Sequence, residues 1–314
     1  MGDFEKLGRL IGNLGFYREK SRLVKFANRV AKKSVKLAGI GPEYCETILK
    51  LSVLESGRTT VAISFDCDLV EDIKSYSWVA GKFKEYGLKG SFACVGLYIE
   101  KYPDEHKMLV EGGHEIMNHT YSHPNHFSLS PDRFLNKLAV KELSEEILKA
   151  DECIKRVLDY DPCGFRTPHF GNLHTHRVYP ILRGLGYKYS SSTIASQMPQ
   201  GGKVFTVDGI LEIPLSPSLR NPFMCPETWG LYRSPKPCYR NEQEYLSELD
   251  WLFDRACEYN SFVNLYFDPG DLKRLGKGAD HLLGRLRELK EKHGAVVGPY
   301  AEVLECEGKR LKAR

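Results

Sequence analysis

The sequence predicts an α/β protein built on a parallel sheet, open or closed into a barrel, with a helical extension ahead of it. Three observations predict this class. From about residue 57, short apolar β-rich runs alternate with amphipathic helical patterns. Polar residues cluster where those runs end, which is where ligands bind in parallel α/β sheets. The length of 314 residues fits one barrel of about 250 residues plus an extension.

Residues 1 to 56 form the expected extension, and 57 to 314 the barrel. Residues 1 to 40 hold ten Lys or Arg, among them Arg18, Lys20, Lys32 and Lys33, against three acids. Leu7, Leu10, Ile11 and Leu14 recur at helical spacing, as do Leu23, Phe26, Ala27, Val30 and Ala31. This pattern gives basic amphipathic helices that either pack on the main domain or lie on an anionic membrane surface.

Thr60 to Phe65, Ser91 to Val95, His114 to Met117 and Phe262 to Phe267 read as buried strands. Ser130 as N-cap and Pro131 at the first helical position open the clearest helix, whose face is Leu143, Ile147, Ala150, Ile154 and Val157. Asn221 to Arg240, with Pro222, Pro226, Pro235 and Pro237, reads as a long irregular loop of the kind that walls a binding site.

Composition narrows the classes. At 42% hydrophobic and 27% charged residues the chain is globular, and no run of about 18 uncharged apolar residues is present. The apolar stretch Leu10 to Phe16 is too broken by glycine and polar residues for a signal core. Nine scattered cysteines without a CxxC indicate neither a disulfide framework nor a zinc ribbon. The expectation is a soluble cytoplasmic protein, peripheral to the inner membrane face if its basic helices engage lipid. The basic residues are not interleaved with aromatics, so no nucleic-acid partner is expected.

Three clusters carry chemistry. Asp66 and Asp68, one residue apart at the end of the first strand, point to the same side. Their repulsion calls for a cation or a raised pKa, unless they merely cap the next helix. His119 and His123, four apart, would share one face of a helical turn. With a carboxylate they would leave open positions on a zinc or similar ion, which polarises a carbonyl and lowers the pKa of water toward about 7. The other Asp then serves as general base. Arg166, in Gly164-Phe165-Arg166-Thr167-Pro168-His169, can hold one of the acids ionised and oriented.

Through Ser64-Phe-Asp-Cys-Asp68, His119-Thr-Tyr-Ser-His123 and Arg166-Thr-Pro168, roughly residues 57 to 300 resemble the polysaccharide deacetylase family, carbohydrate esterases with the NodB homology domain. The resemblance implies a distorted (β/α)7-type barrel and metal-dependent removal of N- or O-acetyl groups from a sugar or glycan. It implies Asp66 as general base, Asp68, His119 and His123 as metal ligands, and Arg166 as the residue that orients Asp66. The ion is expected to be zinc, with cobalt, nickel, iron or manganese as alternatives.

The chain departs from the family at three places. Cys67 separates two acids that are usually adjacent, which resembles a subgroup with peptidoglycan deacetylase-like and allantoinase-like members. The fourth and fifth motifs, which usually supply an Asp and a His, read Tyr189-Ser-Ser-Ser192 and Leu265-Tyr-Phe-Asp268-Pro269. The usual proton donor is thus replaced; His169 is the preferred substitute and Asp268 the second. Pro168, Tyr189, Asp268 and Trp229 are candidates for substrate contact, and Tyr232 and Trp251 for stacking on a sugar. Three rival readings stand beside the deacetylase. They are a non-sugar amide hydrolase, a degenerate glycan- or partner-binding domain, and an iron oxygenase using two histidines and a carboxylate.

Overall fold

Thr60 to Cys67 alternates small or polar residues with large apolar ones, and in the computed structural model the two sets face opposite sides of strand β1 (Thr60–Cys67). Residues 2–16, 22–235 and 238–308 are described; Arg18, Lys20 and Pro237 lie outside them. Val61, Ile63, Phe65 and Cys67 point outward into a core shared with surrounding helices, including Val79 and Phe83, Leu252 and Phe253, and Leu282 and Leu286. Ala62, Ser64 and Asp66 point inward. Both faces are covered, so every residue of the strand is buried.

The other strands are β2 (Ser91–Cys94), β3 (Glu115–Asn118), β4 (Gly164–Phe165), β5 (Tyr189–Ser190), β6 (Phe205–Val207), β7 (Ile210–Glu212), β8 (Phe262–Phe267) and β9 (Val296–Gly298). They run in the order β6-β7-β5-β4-β3-β2-β1-β8, with β9 beside the start of β1. All pairs are parallel except the β6–β7 hairpin. Its two-residue turn, Asp208-Gly209, has φ of 50° and 84°, the left-handed geometry that an Asp-Gly pair supplies.

The sheet curls into a distorted, incompletely closed barrel. Between β7 and β8 the gap is bridged by the chain after β7: Ser216 donates its N–H to Asn264 O at 2.9 Å, and Asn264 Nδ2 donates to Pro214 O at 3.0 Å. The helix Tyr300–Cys306 plugs the lower end, burying Tyr300, Val303 and Leu304 against Ala62, Ala93 and Met117.

Two expectations are corrected. No helix starts at Ser130; its hydroxyl instead donates to Ser122 O and His123 O, clasping the loop after β3. The helix spans Val140–Leu158, with Glu142 accepting from Ala139 N–H, and buries Leu143, Ile147, Ala150 and Ile154 as predicted. The irregular stretch from Asn221 contains a short helix, Thr228–Tyr232.

The N-terminal helices Gly2–Phe16, Arg22–Leu37 and Gly41–Leu51 pack against one wall of the barrel. Ile11 is fully buried with Tyr44, Ile48, Ala195 and Phe223. The apolar stripe predicted from spacing is split, because Asn28, Ala31 and Lys32 turn toward the wall. Leu10, Leu23, Phe26 and Val30 remain exposed, Leu23 by 76%.

Candidate metal centre and active site

The carboxyl ends of β1, β3 and β4 bring all three clusters together. Asp66 is the last inward-facing residue of β1, and Arg166, next after β4, reaches across to it. Arg166 is fully buried, and its Nη1 donates to Asp66 Oδ1 at 2.8 Å. Its remaining donors go to Ser64 Oγ (2.8 Å), Ser191 Oγ (3.2 Å), Ser191 O (3.1 Å) and the Tyr300 hydroxyl. The planar guanidinium is thereby fixed by four residues at once. Burial pushes the Asp66 carboxyl up to about 6, and Arg166 opposes that rise.

Asp68, His119 and His123 offer ligand atoms that all lie within 4.8 Å of one another. His123 Nε2 stands 3.2 Å from Asp68 Oδ2. His119 Nδ1 donates to Arg166 O at 2.9 Å, which leaves Nε2 as the lone-pair nitrogen. That Nε2 is buried without a hydrogen-bond partner, as are both ring nitrogens of His123. Buried polar atoms are normally satisfied, so these three unpaired nitrogens fit a cation held by two imidazoles and a carboxylate. Burial, reinforced by the neighbouring His123, holds the His119 imidazole neutral. Burial alone would raise Asp68, but the adjacent His123 outweighs it and keeps the carboxyl below its ordinary range. Both are the protonation states a metal ligand requires.

The His119–His123 spacing works differently from the expectation. The segment is a loop, not a helical turn, and left-handed residues Thr120 (φ 65°) and His123 (φ 51°) curl it back so that both imidazoles face Asp68. Asn118 Oδ1 accepts from Thr120 N–H at 2.9 Å and fixes the first bend. His126 stays structural: Nε2 donates to Asp68 O at 2.7 Å and Nδ1 accepts from the backbone N–H of Ser128 and Leu129. His114 is also away from the centre, packed against Phe83 and Phe92.

A cavity of about 570 Å³ opens above these groups, lined by Asp66, Asp68 and His123 among others. His169, Asp268 and Trp229, three further candidates, also line it. His169 is exposed at the rim with φ 56°, its ring centroid 4.9 Å from that of His123; desolvation and then the charge of His123 push it down to about 4. Asp268 Oδ2 accepts from Thr228 Oγ1 at 3.1 Å.

Four candidates lie elsewhere. Tyr189 is fully buried in the barrel interior, its hydroxyl donating to Glu115 Oε1 at 2.7 Å. Pro168 is buried and does not reach the cavity surface. Trp251 packs on the outer core, and the Tyr232 hydroxyl donates to Glu242.

Sequence reasoning missed several contributors. Ser64 was readable, since it alternates with Asp66 on the inward face. Tyr300 and Asn264, which complete the cradle around Arg166, carry no local signal. Lys32, from the N-terminal helices, lines the cavity and donates to Gln197 Oε1 at 2.5 Å. Glu227 lines it from the irregular loop.

Residues 54–190 match the polysaccharide deacetylase family. Over 112 residues the chain is 31% identical to a peptidoglycan-N-acetylglucosamine deacetylase of Bacillus cereus, covering 36% of this chain and 37% of that protein. It is 30% identical over 112 residues to a peptidoglycan deacetylase of Helicobacter pylori, covering 35% and 34% respectively. The matched stretches thus span little more than a third of those relatives' own length.

A Mycobacterium smegmatis structure assigned to the polysaccharide deacetylases superposes over 82% of this chain and 95% of that one. Its TM-score is 0.66 at 16% identity. A CE4-family pseudoenzyme of Bacillus anthracis superposes with TM-score 0.50 at 14% identity, over 81% and 66%. At these identities the superpositions establish the distorted barrel alone. All three motif clusters lie within residues 54–190, the part of the chain that is similar to the polysaccharide deacetylase family.

Proposed function

We propose that the protein is a divalent-metal-dependent deacetylase acting on N-acetyl, or O-acetyl, groups of a sugar or glycan. One observation carries this reading. A half-buried carboxylate and two buried imidazoles with unsatisfied nitrogens stand beside a second, buried carboxylate clamped by a buried Arg. Asp68, His119 and His123 would hold the ion, with zinc favoured by this donor set. When bound, the ion polarises the acetyl carbonyl and lowers the pKa of water. Asp66 takes the proton of the attacking water, and Arg166 fixes which oxygen of Asp66 faces that water. A cavity of about 570 Å³ has the size of a site for one or two sugar rings. Trp229, 39% exposed on its wall, offers an aromatic face for a sugar.

Residues 1–56 act, in this reading, as an appendage that places the barrel on an anionic membrane surface. Exposed Leu23, Phe26 and Val30 lie on one helix with exposed Arg22, Lys25, Arg29 and Lys33, and that helix carries no acid. No helix among the described residues is long and apolar enough to cross a membrane. The nine cysteines are free thiols, which suits a reducing cytoplasmic location. Vesicles containing anionic lipid should sediment the wild type but not a Leu23→Glu/Phe26→Glu variant; equal sedimentation would remove the membrane from the account.

The activity is tested by acetate release from N-acetylated oligosaccharides after chelation and re-addition of zinc or cobalt. Release that returns with metal and is lost in Asp66→Asn supports the reading. Absence of release from every acetylated substrate, with metal shown to be bound, would leave a binding domain as the better description.

A further inference from the structure

Expelling an amine from a tetrahedral carbon requires a proton on the nitrogen, because a sugar amide anion is too poor a leaving group. The donor must face the cavity and hold its proton near neutral pH. Most titratable groups on the cavity wall are engaged otherwise. Asp68 and His123 belong to the metal centre, and both ring nitrogens of His126 are tied to backbone groups. Arg233 is held by Asp72 and Asp271, and Asp268 by Thr228. His169 stands at the exposed rim against His123.

Glu227 is different. It sits at the entry to the helix Thr228–Tyr232, in an extended conformation (φ −118°, ψ 154°), and lines the same cavity as Asp66. It is only 7% exposed. Its carboxyl makes no hydrogen bond or ion pair with any described residue. A buried carboxyl without a partner is costly to keep unless it is protonated and serves what enters the cavity.

We infer that Glu227 is the proton donor that protonates the departing sugar nitrogen as the acetamide C–N bond breaks, an inference that rests on the deacetylase reading above. The groups that face it are Asp66 from β1, Cys225 from its own loop and Tyr245 from the helix Glu242–Tyr259. None is a cation that would strip its proton. Burial first, then the Asp66 charge, pushes its carboxyl up to about 8.

The balance closes. Water adds its oxygen to the acetyl carbon and gives one proton to Asp66. The C–N electron pair moves to nitrogen, which takes the Glu227 proton; acetic acid and free amine leave, and the acid passes water's second proton to solvent or the amine to become acetate. Glu227 regains its proton from Asp66 through solvent.

The test uses the zinc-loaded full chain and two substrates, an N-acetylated oligosaccharide and 4-nitrophenyl acetate, whose phenolate leaves without a proton. Glu227→Gln should lower kcat on the acetamide by about 100-fold or more while leaving KM within about threefold and aryl ester turnover within about threefold. Glu227→Asp should recover part of the loss. Asp66→Asn should lose both substrates.

Acetamide turnover within about fivefold of wild type in Glu227→Gln would overturn the assignment, as would both substrates falling together in a folded variant. A wild type that cleaves the ester but no acetylated sugar would overturn the deacetylase reading itself. Turnover apart, a carboxyl titration of metal-free, 13C-Glu-labelled protein should show a group near 8 that is missing in Glu227→Gln. Identical titrations in the two proteins would equally refute the proposal.

Discussion

Replacing Arg166 by Met removes the guanidinium but keeps a chain of similar length, so the volume is largely preserved and the electrostatic role is isolated. Arg166 is fully buried and Asp66 is 5% exposed. The substitution leaves a buried carboxylate without its cation and Ser191 O without its donor at 3.1 Å. The Ser64, Ser191 and Tyr300 hydroxyls, already within 3.1 Å of one another through Tyr300, can pair among themselves and limit the damage. Breaking a buried pair from one side costs about 3–5 kcal/mol, and Asp66 can recover part of that by taking a proton.

The expected loss is therefore about 3 kcal/mol in urea unfolding of the metal-free protein at pH 7. It should shrink to about 1 kcal/mol when Asp66 is already Asn, since no charge is then stranded. Deacetylation should fall by at least about 100-fold in the single variant, because a protonated Asp66 cannot accept a proton from water. An Arg166→Met protein within about 1 kcal/mol of wild type, or an equal cost in both backgrounds, would refute this reasoning.

Three further outcomes follow from the packing. Burial, and then the Lys89 charge, lowers His114 to about 4, below its unfolded value, so its neutral form stabilises the fold above about pH 6.5. That contribution, up to about 3 kcal/mol, is lost as pH falls from 6.5 toward 4; a wild-type minus His114→Gln stability difference that is flat with pH would contradict it. In Gly164→Ala the new Cβ would lie 2.1 Å from Tyr189 Cζ, forcing the ring off Glu115, and equilibrium unfolding should show a loss of about 3 kcal/mol. In Gly12→Ala the Cβ would lie 2.3 Å from Met198 O, a backbone atom. Hydrogen exchange should therefore rise along the helix Gly2–Phe16 and leave β1 and β8 unchanged.

Where local sequence carried the cause, the sequence was readable. Phe262–Phe267 matches the predicted strand end to end, and Thr60–Phe65 lies within β1, because both faces are buried and the apolar runs are uninterrupted. Asp66, Asp68, His119, His123 and Arg166 converge because each sits at or just beyond a strand's carboxyl end, a position that parallel topology fixes in advance. Ser130 misled because its hydroxyl satisfies two loop carbonyls, a tertiary use that mimics a helix cap in sequence. The two-residue β4 and β5 are too short to leave a periodic trace. Tyr300 and Glu227 reach the site from the helix Tyr300–Cys306 and an irregular loop, and only the folded barrel shows them facing Arg166 and the cavity.

The central claim is that two carboxylates one residue apart hold different offices, Asp68 on the ion and Asp66 on the proton. Zinc titration calorimetry on metal-free Asp66→Asn and Asp68→Asn, paired with acetate release by each, measures that division directly. The account predicts that Asp68→Asn weakens zinc binding by about 100-fold, whereas Asp66→Asn binds zinc within about tenfold of wild type and releases no acetate. Equal zinc affinities in the two variants, or acetate release by Asp66→Asn at the wild-type rate, would contradict it.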